Sequence, residues 1–301
     1  MFQVATHYIQ QYTTNVNMLL TQKGGKLAPF VTMGSHTGTG AQVVQQIGTT
    51  KPIKNLGRYQ DTPLIDMPTA QRWVFPNDYD WGTLIDDQDK LKMLLDPTSP
   101  YTMSAVNAMR RAQDDEILQA FYASSPTGTN GASTTAFPAG QKVGVNVGGT
   151  NSKLNVAKLR AGKVLLMAAG VDLESEAIYC AINSADHDAL LNEIEVKSTD
   201  FNSKPALVDG RLSYFLGINF IHVEYTDSAS YSADTVTAVG SATRFVPMWV
   251  KSGMYLGTWK DVAVSVAPRP DKRFATQVYC TTTLGATRVE EKRVVQIATT
   301  G

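Results

Sequence analysis

Apolar residues recur along this chain in two periods, and the period changes several times. Val4, Tyr8, Tyr12, Val16 and Leu19 fall every three or four residues, which predicts an amphipathic helical stripe. The glycine-punctuated GSHTGTGAQ beyond it predicts extended chain. Residues 1–48 are therefore expected to form an arm, because the apolar stripe has no local partner. Over residues 51–85, prolines at 52, 63, 68 and 76 oppose both a helix and a well-paired central strand. That stretch reads as a long irregular hairpin with an apolar tip of Leu64, Ile65 and Met67. It has no core side of its own, so it must lean on another surface.

The clearest helix is predicted over 98–124, capped by Thr98 or Ser99 with Pro100 in its first turn. Met103, Val106, Met109, Ile117 and Phe121 fit one broad face, and Arg110–Asp114 and Arg111–Asp115 are i,i+4 pairs on the other. At ~1.5 Å per residue this spine is about 40 Å long. SSPTGTNGASTTAFPAG (124–140) reads as a loop too polar and glycine-rich to pack. A second helix is predicted from Asn155 to about Ala169, stopped by Gly170. EAIYCAI (176–182) is apolar on both faces, as in a strand buried between layers. Ser184 is expected to cap a short helix holding Leu190, Leu191 and Ile194. RLSYFLGINFIHVEY (211–225) predicts two strand pieces hinged at Gly217, and a polar loop over 226–243 leads to RFVPMWVKSGMYLGTW (244–259). The closing QVYCTTTLGATRVEEKRVVQI (277–297) predicts two strands, with Val278, Cys280 and Leu284 on one face and a bend at Gly285-Ala286.

Composition narrows this picture. An apolar fraction of 43% in 301 residues suits one large globular domain or two. Twenty-seven basic residues balance 27 acidic ones, so no global field draws the molecule to nucleic acid or an anionic membrane. Cys180 and Cys280 both fall in strand-like apolar runs; two buried thiols in a reducing cytosol and a disulfide between them are both open. The N-terminus lacks a basic start followed by an apolar core, and no run approaches the ~18 apolar residues of a membrane span. The expectation is a soluble protein made and kept in a cytoplasm.

Candidate chemistry is sparse. Asp186-His187-Asp188 is the one histidine flanked by acids, but all three fall in a first helical turn, where the helix dipole favours acids. His7, His36 and His222 form no sequence motif with it. GVNVGGTNS (144–152) approaches the spacing of a phosphate loop but has Thr150 where lysine is required. Trp73, Phe75, Tyr79 and Trp81 interleave with charge, yet the cluster holds as many acids as bases, which suits burial against protein better than nucleic-acid stacking. No catalytic group, cofactor site or metal site is expected.

An arm, a two-faced hairpin and an exposed spine cost ordering entropy without a core of their own, which makes sense where a neighbouring subunit covers them. NVNMLLTQKGGKL, GRYQDTP, RWVFPNDYDWGTLIDDQDKLKMLLDPTSPY, AMRRAQDDEIL, LSYFLGINFI and PDKRFATQVYCTTTLGATRVEEKRVVQI, in that order and spacing, resemble the major capsid proteins of tailed bacteriophages. The resemblance implies the α+β capsid fold of tailed phages and herpesviruses. Its parts would be an N-terminal arm (1–48), an extended hairpin loop (49–84), a peripheral domain (85–150) with its spine helix (98–124), an α/β axial domain (151–261) and strands returning to the peripheral domain (262–301). It implies hexamers and pentamers in an icosahedral virion shell around double-stranded DNA, assembled in the host bacterial cytoplasm. Scaffolding, portal and decoration proteins would be the partners, and no membrane is involved. The hairpin would lie across an adjacent subunit, with Lys54, Arg58, Asp61, Arg72, Trp73, Asp78 and Asp80 in contact there beside the apolar tip. Arg110, Arg111, Asp114 and Asp115 would contact a neighbour from the spine, or else pair along the solvated helix. The alternatives are an encapsulin-like shell around enzyme cargo and, more remotely, a soluble α/β enzyme with a site built from scattered residues.

Overall fold

The computed structural model describes residues 24–54, 57, 61–62, 64–86, 98–149, 151–193, 212–224 and 243–300. The stripe from Val4 to Leu19, Arg58, Ile194 and nearly all of the 226–243 loop lie outside them. In chain order the strands are β1 (Thr32–Ser35), β2 (Ala41–Ile47), β3 (Thr69–Val74) and β4 (Asn77–Ile85), followed by the helix α1 (Thr98–Tyr122). Then come β5 (Ser125–Thr127), β6 (Ser133–Thr135), β7 (Lys142–Val143), α2 (Val156–Ala168), β8 (Ile178–Ile182) and α3 (Ser184–Asn192). The chain finishes with β9 (Tyr214–Phe215), β10 (Ile218–His222), β11 (Thr243–Val250), β12 (Met254–Pro268), β13 (Thr276–Arg288) and β14 (Val294–Thr300).

These strands form three sheets, ordered β1-β12-β13-β4, β7-β14-β11-β8-β10-β9 and β2-β3-β5-β6. The spine α1 covers one face of the first sheet. Ala105, Met109, Ile117 and Phe121 are buried at i, i+4, i+12 and i+16, so one stripe of the helix meets β13. Met103 stands two residues from Ala105, roughly 200° around the helix, and is exposed rather than on that stripe. Along β13 the alternation Val278, Cys280, Thr282, Leu284 is buried toward the helix. The second sheet packs against α2 through Leu159, Leu166, Met248 and Ile297. Its strand β8 is buried on both faces, as its unbroken apolar run predicts. Trp249 joins the layers: its ring lies 4.7 Å from that of Phe121, and its Nε1 donates to the Phe30 carbonyl at 3.0 Å.

Several local expectations change. Residues 24–47 are not an unpartnered arm: Leu27 and Val31 are core residues, β1 runs parallel to β12, and β2 pairs with β3. The 51–85 stretch divides. β3 is the return strand of a hairpin whose stem starts at Ala41, whereas β4 leaves it and pairs antiparallel with β13 from Asn77↔Leu284 to Ile85↔Thr276. Pro68 and Pro76 stand just outside β3 rather than within it, so both strands keep their ladder hydrogen bonds. The polar 124–140 segment does pack: β5 pairs with β3 and β6, and the Phe137 ring meets Tyr122 edge-on at 5.5 Å. β13 runs straight through Gly285, so no bend falls there. Asn183, not Ser184, caps α3, its side chain accepting from the Asp186 N–H at 2.9 Å. The hinge at Gly217 is a two-residue turn in which both Leu216 (φ 54°) and Gly217 (φ 79°) have positive φ, matching the Phe215↔Ile218 register.

Candidate assembly interface

The β2–β3 hairpin carries the exposed apolar residues Leu64, Ile65 and Met67 in its loop. Its stem, β2 and β3, is held at one point on the β13–β14 link. Arg72 is 5% exposed; its Nε donates to the Val289 carbonyl at 3.0 Å and its Nη2 meets Glu291 Oε1 at 2.6 Å. From the neighbouring strand, Gln46 Nε2 donates to the same carbonyl at 2.5 Å. On the other side, Trp73 Nε1 donates to the Gly128 carbonyl at 2.8 Å, and Thr127 Oγ1 donates to the Gln71 carbonyl at 2.8 Å. One residue before Val289, the fully buried Arg288 donates to the carbonyls of Phe121, Ala123 and Thr135, closing the C-terminal end of α1. Burial and the nearby Arg72 cation push the Arg288 guanidinium down to about 10, and Glu291 opposes this.

Beyond the stem, the chain turns at Phe75 from β3 into β4. The turn passes so close to β13 that a Cβ on Gly285 would stand 2.1 Å from the Phe75 carbonyl oxygen. The Phe75 ring lies between Gly40 and Gly131, where an added Cβ would come within 2.9 Å and 2.7 Å of it. Gly285 is therefore a crossing point for two backbones, which explains a glycine inside a continuous strand.

The residues expected at inter-subunit contacts separate into three groups. Lys54, Asp61, Leu64, Ile65 and Met67 are exposed on the loop between β2 and β3, with Leu64 96% exposed. Asp78 and Asp80 are exposed on β4 and accept from Thr283 Oγ1 at 2.6 Å and Tyr279 OH at 2.7 Å; the Asp80 bond raises the Tyr279 pKa. Arg110 is also exposed, and Arg111 and Asp115 are half-buried. Arg72 and Asp114, by contrast, are turned into the subunit, and Trp73 is half-buried on Gly128. Asp114 is 2% exposed and does not form the solvated helix pair expected with Arg110; its two carboxylate oxygens accept the N–H groups of Lys26 and Leu27 at 3.1 and 3.0 Å. Burial raises its pKa, and these backbone hydrogen bonds partly offset the rise. The aromatics of β4 also turn inward: Tyr79 and Trp81 pack with Met109 and Cys280, and Tyr79 OH donates to Glu116 Oε2 at 2.6 Å.

Glu291, Arg288, Gln46 and Gly285 were not legible as a unit, because they lie more than 150 residues from the groups they hold. The remaining chemical candidates have structural uses. Asp186 is buried beside Arg244, with Oδ1–Nη2 at 3.1 Å; burial raises its pKa and Arg244 opposes the rise. The 144–152 loop precedes α2, where Asn155 Oδ1 caps the Lys158 N–H and the buried Lys158 Nζ donates to the Ser152 carbonyl. Both cysteines are free thiols. Among the described residues, no group of three or more His, Cys, Asp or Glu could hold a metal, and no helix is long and apolar enough to cross a membrane.

A long helix on a four-stranded sheet beside a mixed six-stranded layer is the fold of tailed-phage capsid subunits. The same fold is found in the capsid of cyanophage Pam1 (TM-score 0.71, 12% identity, 96% of this chain and 95% of that one). It is also found in the acid-stable capsid of Helicobacter pylori bacteriophage KHP30 (TM-score 0.71, 10% identity, 95% and 94% covered). The capsid of cyanophage P-SCSP1u matches at TM-score 0.69, with 12% identity over 96% of this chain and 92% of that one. The model of the phage capsid protein family matches residues 4–300, and the chain belongs to that family. No curated protein matches it. The chain is a major capsid protein, a structural component of a phage head, and the alternative of a shell around enzyme cargo is not favoured.

Proposed function

We propose that the subunit joins hexamers and pentamers of an icosahedral head by laying its hairpin across a neighbouring copy, and that the head encloses double-stranded DNA. The observation that carries this reading is the loop over residues 48–68. Ile53, Leu64, Ile65 and Met67 are all exposed there, beyond a stem that Arg72 fastens to Val289 and Glu291. Exposed apolar side chains grouped in one loop are stabilised by burial against another surface, at about 25 cal/mol per Å² removed from water. Lys54, Arg58, Asp61, Asp78 and Asp80 would supply the polar rim, and Arg110, Arg111 and Asp115 the contacts of the spine. Arg72, Trp73 and Asp114 act one step back, by fixing where the hairpin and spine stand. The subunit works as a building block without catalysis. Assembly takes place in the bacterial cytoplasm, with scaffolding, portal and decoration proteins as partners; the DNA is enclosed without sequence preference.

The test is the triple substitution Leu64→Ser, Ile65→Ser and Met67→Ser, read by electron microscopy and light scattering. Wild type should give shells or discrete capsomers, and the variant should remain unassembled with an unchanged subunit melting temperature. A variant that assembles as wild type does would overturn the role of the hairpin tip.

A further inference from the structure

The two histidines that share no sequence motif meet in the fold. The His187 and His222 rings stand 4.7 Å apart at an interplanar angle of 76°, and both reach the backbone of Leu212. The Leu212 N–H donates to His187 Nε2 at 3.2 Å, while His222 Nε2 lies 3.2 Å from the Leu212 carbonyl oxygen. We propose that this pair is an acid-opened latch on the chain where it enters β9, the edge strand of the six-stranded sheet.

The hydrogen-bond directions set how the latch responds to protons. A backbone N–H can only donate, so His187 Nε2 carries no proton and the ring is the neutral Nδ1–H tautomer. A carbonyl can only accept, so His222 Nε2 carries the proton. Adding a proton to His187 places N–H against N–H and removes the acceptor, whereas adding one to His222 leaves its bond intact. His187 is therefore the switch at the Leu212 N–H. Leu212 is 3% exposed, so its released N–H has no ready access to water, and an unpaired buried donor is costly. Beyond Leu212, the Ser213 carbonyl accepts from the Phe220 N–H at 3.0 Å, so loosening Leu212 reaches the β9–β10 hairpin.

Among the described residues, the charged groups around the pair have partners of their own. On α3, Asp186 is engaged by Arg244 of β11, and Asp188 is exposed and accepts from Asn192 Nδ2. After β10, Glu224 accepts the Ser184 N–H at 2.7 Å. From the segment entering the core, Lys26 Nζ donates to the His222 main-chain carbonyl at 2.8 Å and adds a cation beside the two rings. The Lys26 N–H is in turn held by Asp114 of α1, so the latch lies at the seam between the six-stranded sheet and the spine.

Hydrogen–deuterium exchange of the purified full-length protein tests this at pH 7.5 and pH 5.5, with the chemical exchange rate corrected for pH. Protection of the Leu212 amide should fall on the order of ten-fold in acid. His187→Gln, whose side-chain oxygen accepts at either pH, should abolish that fall, and His222→Gln should retain it. Unchanged protection in wild type, or an equal fall in His187→Gln, would overturn the latch. Should His187→Gln fail to fold, imidazole ¹⁵N spectra of the wild type decide. At pH 7.5, Nδ1–H on His187 and Nε2–H on His222 are expected, and any other pattern refutes the proposal.

Discussion

Replacing Arg72 with alanine should weaken the isolated subunit before any neighbour is involved. The guanidinium is nearly enclosed, with its side chain 6% exposed against 18% for Glu291, and it makes two charge-assisted bonds. Removing one member of a buried ion pair costs about 3–5 kcal/mol, because the other charge is left without a partner. Two features reduce that here. Glu291 keeps some access to water, and Gln46 still donates to the Val289 carbonyl. A loss of about 2–4 kcal/mol is therefore expected. At ~2–4 °C per kcal/mol for a chain this large, the melting temperature should fall by about 4–16 °C. Urea unfolding of unassembled subunits is the assay, with Glu291→Ala and the double variant completing a cycle that isolates the pair. Asp80→Ala is the control. Asp80 lies on the exposed face of β4 and accepts from Tyr279, so that variant should unfold as wild type does. If Arg72→Ala matched wild type in urea yet failed to assemble, the intrachain clamp would be refuted and Arg72 would return to the inter-subunit surface.

Gly285→Ala should destabilise the subunit by at least ~1–3 kcal/mol, because the new Cβ meets the Phe75 backbone rather than a flexible side chain; Gly140→Ala, with nothing within 4 Å, should be nearly neutral, and equal melting temperatures would refute the crossing-point role. Burial raises the folded-state pKa of Asp114, so this group's stabilising contribution is full below the ordinary aspartate value of about 3.9 and is lost as pH rises through the folded value. The stability gap between wild type and Asp114→Asn should accordingly narrow from pH 4 to pH 7, and a widening gap in urea titrations would contradict the sign. Cys180 and Cys280 are free and buried, and burial pushes both thiols up, so a thiol reagent should find both only after unfolding; a single reactive thiol, or none, in denaturant would contradict this.

Some of this molecule is legible in the order of its residues. The spine helix, α2 ended near Gly170, the doubly buried β8 and the hinge at Gly217 follow from period, caps and turn residues, which act within a few positions of chain. The exposed tip of Leu64, Ile65 and Met67 is legible as well, as an apolar group inside a proline-rich, polar stretch that stays exposed in the fold. What tertiary structure alone decided is which polar groups are spent inside. Arg72 and Asp114 look like surface charges in a local window, but Val289 and Glu291, and the backbone of Lys26 and Leu27, reach them from 217, 219, 88 and 87 residues away. Gly285 looks like a bend because its neighbour across the sheet, Phe75, is invisible in sequence. His187 and His222 carry no shared motif because Leu212, which joins them, enters from a third element. Periodicity is a property of one segment and the water beside it. Pairing of buried charges and close backbone crossings belong to segments brought together only when the sheets close.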